Sequence, residues 1–214
     1  RPKSSAASDV YKRQIAFTGS TQVGKLIQKS LAGREVGLTL ELGGKAANIV
    51  YEDAAIDQAV EGVVNGIFFN QGHVCCAGSR LLLQESIHDQ FISKLEKRMQ
   101  SLRVGNPLDK NTDIGAINSK EQLDKITNLV NEGLEDGGEL FQTQCDLPGN
   151  GFWFRPTLFT NVQPSYSIAR EEIFGPVLTT LTFRTPEEAV EIANNTESVS
   201  YTHLEPTRRK RISV

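Results

Sequence analysis

Cysteine is scarce in this chain, and what there is sits badly for structural use. Three cysteines in 214 residues, two of them neighbours at Cys75 and Cys76, do not make a disulfide framework. A reducing compartment is the natural setting for such a chain. Zinc held by His73, Cys75, Cys76 and Cys145 is disfavoured too, because adjacent thiols lack the C-x₂₋₄-C spacing of a tetrahedral site. No apolar run approaches the ~18 residues of a membrane-spanning helix. Residues 1–14 lack the apolar core of a secretory signal. A formal net charge of −3 supplies no pull toward nucleic acid or an anionic membrane. These absences lead us to expect a cytoplasmic protein with neither nucleic acid nor membrane as partner.

What is present describes an ordinary folded protein. Hydrophobic residues make up 38% and charged residues 23%, enough apolar surface to build a core. Ile15–Thr18, Val36–Leu42 and Ala47–Tyr51 read as strands, with a helix carrying Val23, Leu26, Ile27 and Leu31 between the first two. Ile56, Ala59, Val60, Val63, Val64 and Ile67 recur at helical spacing. Leu81–Leu83 reads as a buried strand. Ile87, Phe91, Leu95, Met99 and Leu102 mark the next helix. Leu123, Ile126, Leu129, Val130 and Leu134 mark another, ended by Gly137-Gly138. Strands are expected at 139–142, 155–160 and 177–183. A last helix (Ala189, Val190, Ile192, Ala193) opens on a threonine cap, Thr185, with Pro186 at its first position. Strands alternating with helices of this length predict an α/β fold with a mainly parallel sheet.

Two stretches carry chemistry. In Asn70–Arg80, two thiols lie in a glycine-bracketed loop between a helix and a strand, where a scaffold holds reactive groups within reach. Gly19–Lys25 satisfies the G-x-x-x-x-G-K of a phosphate-binding loop. Leu26, however, replaces the serine or threonine that would hold Mg²⁺, which argues against a nucleotidase. A glycine-serine turn feeding a helix N-terminus still suits a phosphate. The basic run Arg208–Arg211 reads as solvated charge.

Four segments together resemble the NAD(P)-dependent aldehyde dehydrogenase superfamily. They are Phe17–Gly24 (FTGSTQVG), Leu40–Lys45 (ELGGK after the leucine), Phe69–Arg80 (FNQGHVCCAGSR) and Glu171–Pro176 (EEIFGP). The resemblance runs from Ile15 to about Thr196 and implies a three-layer aldehyde-dehydrogenase-like fold. In it, residues 15–43 would close a Rossmann-like cofactor domain and 44–197 would form part of a catalytic domain. It implies oxidation of a small aldehyde to a carboxylic acid with NAD or NADP, in a full-length parent that is a homo-oligomer. Carried over by position, Cys75 is the nucleophile, Glu41 the general base and Cys76 a packed neighbour. Gly19 and Ser20 would meet the cofactor's diphosphate, Val23 its adenine side, and Leu42 the nicotinamide amide. Glu172 would hold the nicotinamide ribose, with Phe174 beside it. Gln22 and His73-Val74 depart from the commoner glutamate and glutamine-cysteine. The upstream oxyanion-hole asparagine and the first cofactor-domain strands have no counterpart here. Residues 1–14 and 198–214 resemble translated adaptor sequence, so the chain is expected to be a piece of a longer protein. If so, it would be inactive by itself. A CoA-acylating semialdehyde dehydrogenase is the alternative reading, and Glu41 argues against it.

Overall fold

The computed structural model describes residues 14–196. The tails expected at 1–14 and 198–214, with the basic run, lie outside the described residues, apart from Gln14, which opens the first strand.

Two sheets form. β1 (Gln14–Gly19) pairs parallel with β2 (Gly37–Leu42), and α1 (Thr21–Leu31) connects them. Along both strands half-buried residues alternate with exposed ones, and none is fully buried. That is the pattern of a sheet covered on one face only. The chain then passes through Gly43–Ala46 into β3 (Ala47–Val50), the edge of a five-stranded sheet. Its strand order is β3-β4-β7-β6-β5, with β4 at Arg80–Gln84, β5 at Glu139–Gln142, β6 at Thr157–Thr160 and β7 at Val177–Phe183. All neighbours are parallel except β5, which runs antiparallel on the outer edge.

Helices cover both faces of this sheet. Leu81, Leu83, Leu158 and Leu178 pack with α2 (Ile56–Phe68) and α3 (His88–Met99) on one side. Leu82, Leu181 and Phe183 pack with α6 (Pro186–Asn194) on the other. Phe159 and Val177 share that second side with α4 (Lys120–Glu135) and the short α5 (Ser167–Arg170). Burial on both faces explains why β4 reads as an unbroken apolar run. The result is the three-layer α/β arrangement that the motifs imply.

Local rules hold at most boundaries. Thr185 caps α6, accepting from the Glu188 N–H at 3.2 Å, and Pro186 takes the first position. Gly137, at φ 102°, ends α4 in a Schellman arrangement. Its N–H donates to Leu134 O, and the Gly138 N–H donates to Gly133 O. Four expected apolar helix positions turn outward: Val23 is 41% exposed, Leu26 66%, Leu134 44% and Val190 53%. On α4 the buried place belongs to Gly133, where a Cβ would meet Ile168 of α5 at 2.7 Å. On α6 the seam runs through Ala189 and Ala193. The strand expected from Arg155 begins only at Thr157, because Pro156 has no N–H to give.

Candidate active site

The Cys75 segment is held in place by its backbone. After α2, Asn70 (φ 50°), Gln71 (φ 48°) and Gly72 (φ 74°) are left-handed in succession. For Asn70 and Gln71 that conformation costs about 1–3 kcal/mol each. Several contacts hold it. The His73 N–H donates to Asn70 O at 2.9 Å, and Asn70 Nδ2 donates back to His73 O at 3.1 Å. Gln71 Oε1 accepts from the Gly115 N–H at 3.2 Å. Next comes a β-turn, closed by Ala77 N–H to Val74 O at 3.0 Å, with Cys75 and Cys76 as its two central residues. Cys75 is exposed and Cys76 half-buried. Beyond the turn, the Gly78 N–H donates to Gly66 O, and the buried Asn48 side chain donates to Gly78 O.

A second loop, Glu171–Pro176, meets that segment. Gly72 lies so close to the Gly175 carbonyl that a Cβ there would collide with it. The His73 ring stacks on Phe174 with centroids 5.2 Å apart and planes 7° off parallel. Phe174 is itself left-handed, at φ 55°. Helix α4 clamps the loop by its carbonyls: Lys125 Nζ donates to Glu172 O at 2.8 Å. Gln122 Nε2 donates to Ile173 O at 2.9 Å and Phe174 O at 3.0 Å.

The same loop reaches the two-stranded sheet. The Glu172 carboxylate lies against Gly43, where any Cβ would overlap it. Burial raises the Glu172 pKa, opposed by the Gly44 N–H and by the Lys125 and Lys45 charges. Gly43 directly follows Leu42, and Leu42 is the register partner of Gly19 at the carboxyl ends of β2 and β1. Glu41 is exposed and opposite Thr18 in the same register. Ser20 caps α1, its Oγ accepting from the Val23 N–H at 3.4 Å, and Val23 is 41% exposed. Gly24 has a packing role: a Cβ there would meet Leu42 Cδ2 at 2.6 Å. That glycine lets α1 approach β2.

The candidates therefore form one path: Gly19, Leu42, Gly43, Glu172, Phe174, His73 and the Cys75 turn. Ser20, Val23 and Glu41 adjoin its first members, and Cys76 its last. The two-stranded sheet contributes its carboxyl ends, the usual ligand side of an open α/β sheet. The five-stranded sheet contributes the amino ends of β3, β4 and β7, which follow Ala46, Ser79 and Pro176.

Sequence reasoning missed several residues around this path. Lys45 is buried, and burial, with the nearby Arg80 charge, lowers its pKa to about 7. Arg80 is also buried, which lowers its pKa to about 10. It donates to Lys45 O (3.0 Å), Ile192 O (3.0 Å) and Ala193 O (2.8 Å), tying the end of α6 to the start of β4. His73 Nε2 is buried without a hydrogen-bond partner among the described residues, and burial lowers the ring's pKa. Only the i, i+3 spacing of Gln122 and Lys125, which puts them on one helix face, could have suggested the clamp.

The aldehyde dehydrogenase family profile matches residues 6–202. The chain belongs to that family. It is 47% identical over 193 residues to retinal dehydrogenase 2 of Taeniopygia guttata, covering 89% of this chain and 37% of that protein. Among solved structures it is similar to an NAD-dependent aldehyde dehydrogenase from Sinorhizobium meliloti. There the TM-score is 0.83 and the identity 43%, over 86% of this chain and 37% of the other. A betaine aldehyde dehydrogenase from Staphylococcus aureus, solved in complex with NAD+, gives a TM-score of 0.81 at 37% identity. It is matched over 86% of this chain and 37% of its own. The chain thus spans little more than a third of the length of these relatives. The resemblance read from four motifs is borne out at the level of family and fold.

Proposed function

We propose that this chain, joined to the rest of the family's length, carries the centre of an enzyme that oxidises an aldehyde to a carboxylic acid with NAD(P)+. The observation supporting this most is the continuous path from Gly19 and Leu42 through Gly43, Glu172, Phe174 and His73 to the exposed Cys75. The relatives' printed descriptions, NAD-dependent and NAD+-bound, support the cofactor. We further propose that residues 15–43 close a cofactor-binding domain and that 44–197 belong to a catalytic one. Three free cysteines among the described residues favour a reducing, cytoplasmic setting.

The residues suit a dinucleotide. Gly19 is exposed and Ser20 opens α1, so N–H groups at a helix start and a positive dipole end are offered to a diphosphate. The Glu172 carboxylate, seated on Gly43, would accept from ribose hydroxyls, with Val23, Leu42 and Phe174 as further contacts. When bound, the nicotinamide supplies the hydride acceptor. Cys75, as thiolate, adds to the aldehyde carbon to give a thiohemiacetal; loss of hydride from that carbon leaves a thioester on Sγ. Backbone N–H groups near the turn are the candidate donors to the developing oxyanion. Glu41 then takes a proton from the water that attacks the thioester, releasing the acid and the thiol. Cys76 takes no part in this sequence.

The test is to follow NADH absorbance in the full-length protein with a panel of aldehydes. Steady acid production is expected. Glu41→Gln should give a burst of NADH followed by turnover slowed about 10²–10⁴-fold, the span of lost general-base catalysis. CoA-dependent turnover that Glu41→Gln leaves untouched would overturn the hydrolytic step in favour of acyl transfer to CoA.

A further inference from the structure

We propose that Asn150 is a self-modification site, where the Gly151 amide nitrogen attacks the Asn150 side-chain carbon and turns the asparagine, through a succinimide, into aspartate or isoaspartate. The inference does not need the dehydrogenase reading. It rests on the sequence's two asparagine-glycine pairs, Asn65-Gly66 and Asn150-Gly151, which the fold treats in opposite ways. Ring closure is fastest before glycine, because no side chain shields the attacking nitrogen. That nitrogen must also be free to swing toward the asparagine side chain.

Asn65-Gly66 lies inside α2. There the Gly66 N–H is committed to the helix ladder, and a helical ψ at Asn65 holds the nitrogen away from the side chain. Asn150-Gly151 lies on the connection between β5 and β6, in neither helix nor strand. Exposure does not separate the pairs, since all four residues are exposed. Backbone does. Among the described residues the Gly151 N–H makes no hydrogen bond. The fold also demands the glycine. Gly151 has φ 111°, and a Cβ there would meet Trp153 Nε1 at 2.9 Å. The residue that makes Asn150 labile is therefore fixed by its own conformation and by the approach of Trp153.

The chemistry balances with water alone. Solvent takes the Gly151 N–H proton, the nitrogen bonds to Asn150 Cγ, and the Cγ–Nδ2 bond breaks as ammonia leaves. Water then opens the five-membered ring at either carbonyl. The net change is amide plus water to carboxylate plus ammonium, with no oxidation or reduction. Attack at the main-chain carbonyl gives isoaspartate, which reroutes the backbone through Cγ. That main-chain oxygen is the acceptor of the Trp153 indole N–H, at 2.7 Å, and Trp153 packs against the core under α2. Both products place a negative charge beside Trp153, and isoaspartate also replaces the carbonyl to which the indole is tied.

The experiment is hydroxylamine treatment of the full-length protein in native buffer, with a parallel sample unfolded in guanidinium. Hydroxylamine cuts the chain where a succinimide forms, and the new N-terminus identifies the pair: Gly151-Phe152-Trp153 or Gly66-Ile67-Phe68. The unfolded sample should be cut at both pairs. The native protein should be cut at Asn150 with Asn65 intact, because α2 must open locally before its pair can react. Asn150→Gln should lose the native cut, since its longer side chain has to close a larger ring. Native protein aged without hydroxylamine should accept methyl groups from S-adenosylmethionine through a protein-isoaspartate methyltransferase. That label should fall in tryptic peptide 126–170 and vanish in Asn150→Gln. The proposal is overturned if the native protein is cut at neither pair, at Asn65 alone, or equally at both. Methyl label persisting in that peptide of Asn150→Gln overturns it as well.

Discussion

The two sheets of this chain answer to different demands. In the five-stranded sheet, β3 is buried along its whole length and Leu81, Leu82 and Leu83 of β4 are wholly inaccessible. In the two-stranded sheet no residue is buried, and in α1 only Gly24 is. The first region has two covered faces and its own core. The second is a ribbon under one helix, a unit too small to be stable by itself. Yet four of the six proposed cofactor contacts, Gly19, Ser20, Val23 and Leu42, lie in the weaker region, while Glu172, Phe174 and Cys75 lie on the stronger. The site is thus assembled across a stability boundary. The Glu171–Pro176 loop, clamped by α4, is what joins the two sides.

The sharpest way to break that contrast is to truncate one apolar side chain in each region. Phe91→Ala, in the core under α3, should cost about 3–5 kcal/mol in denaturant unfolding followed by circular dichroism. Leu38→Ala, half-buried in β2, should cost less than about 1 kcal/mol in the same experiment. Equal costs would make the two sheets one cooperative unit.

Arg80 comes next. Removing its guanidinium strands the carbonyls of Lys45, Ile192 and Ala193, so Arg80→Met should destabilise the five-stranded region by about 3 kcal/mol. Arg80→Lys should not restore the loss, since an ammonium cannot make the same fork. Amide exchange should show α6 loosened while β1 and β2 are unchanged.

Lys45 gives an effect whose sign with pH can be checked. Its folded-state pKa, about 7, lies below the ordinary 10.5, so the unfolded chain binds the extra proton between those values. Its contribution to stability is full above pH 10.5 and lost as pH falls through 7. Raising the pH from 7 to 9 should therefore stabilise the fold, by about 1–3 kcal/mol if Lys45 dominates. Lys45→Met should flatten that slope. Glu172 runs the other way: its pKa is raised by burial, so it favours the fold at acid pH and loses that contribution as pH rises.

Much of this was legible in the sequence because periodicity reports burial. β5 and β7 fall where alternation and apolar runs put them, and the threonine cap and glycine stop behave as local chemistry demands. What was not legible depends on partners far along the chain. The left-handed backbone of Asn70 and Gln71 is held by hydrogen bonds between Asn70 and His73 and by the distant Gly115 N–H, which donates to Gln71. Arg80 looks like a strand-flanking charge until the end of α6, 112 residues on, supplies its acceptors. Glu41 and Glu172 looked like solvent-facing carboxylates until the family motifs gave them roles. The structure adds the seat of Glu172 on Gly43, while Glu41 remains exposed. Gly24, the last glycine of the phosphate-loop pattern that Leu26 argued against, serves helix-to-strand packing.

The central claim is that Cys75, and not its neighbour, is the reacting group of a site built across the two regions. It is tested most directly by comparing Cys75→Ala with Cys76→Ala in the full-length protein, with NADH formation from an aldehyde as the readout. Cys75→Ala should abolish turnover, and Cys76→Ala should retain it within a few-fold. Turnover surviving in Cys75→Ala, or lost equally in both, would contradict the account.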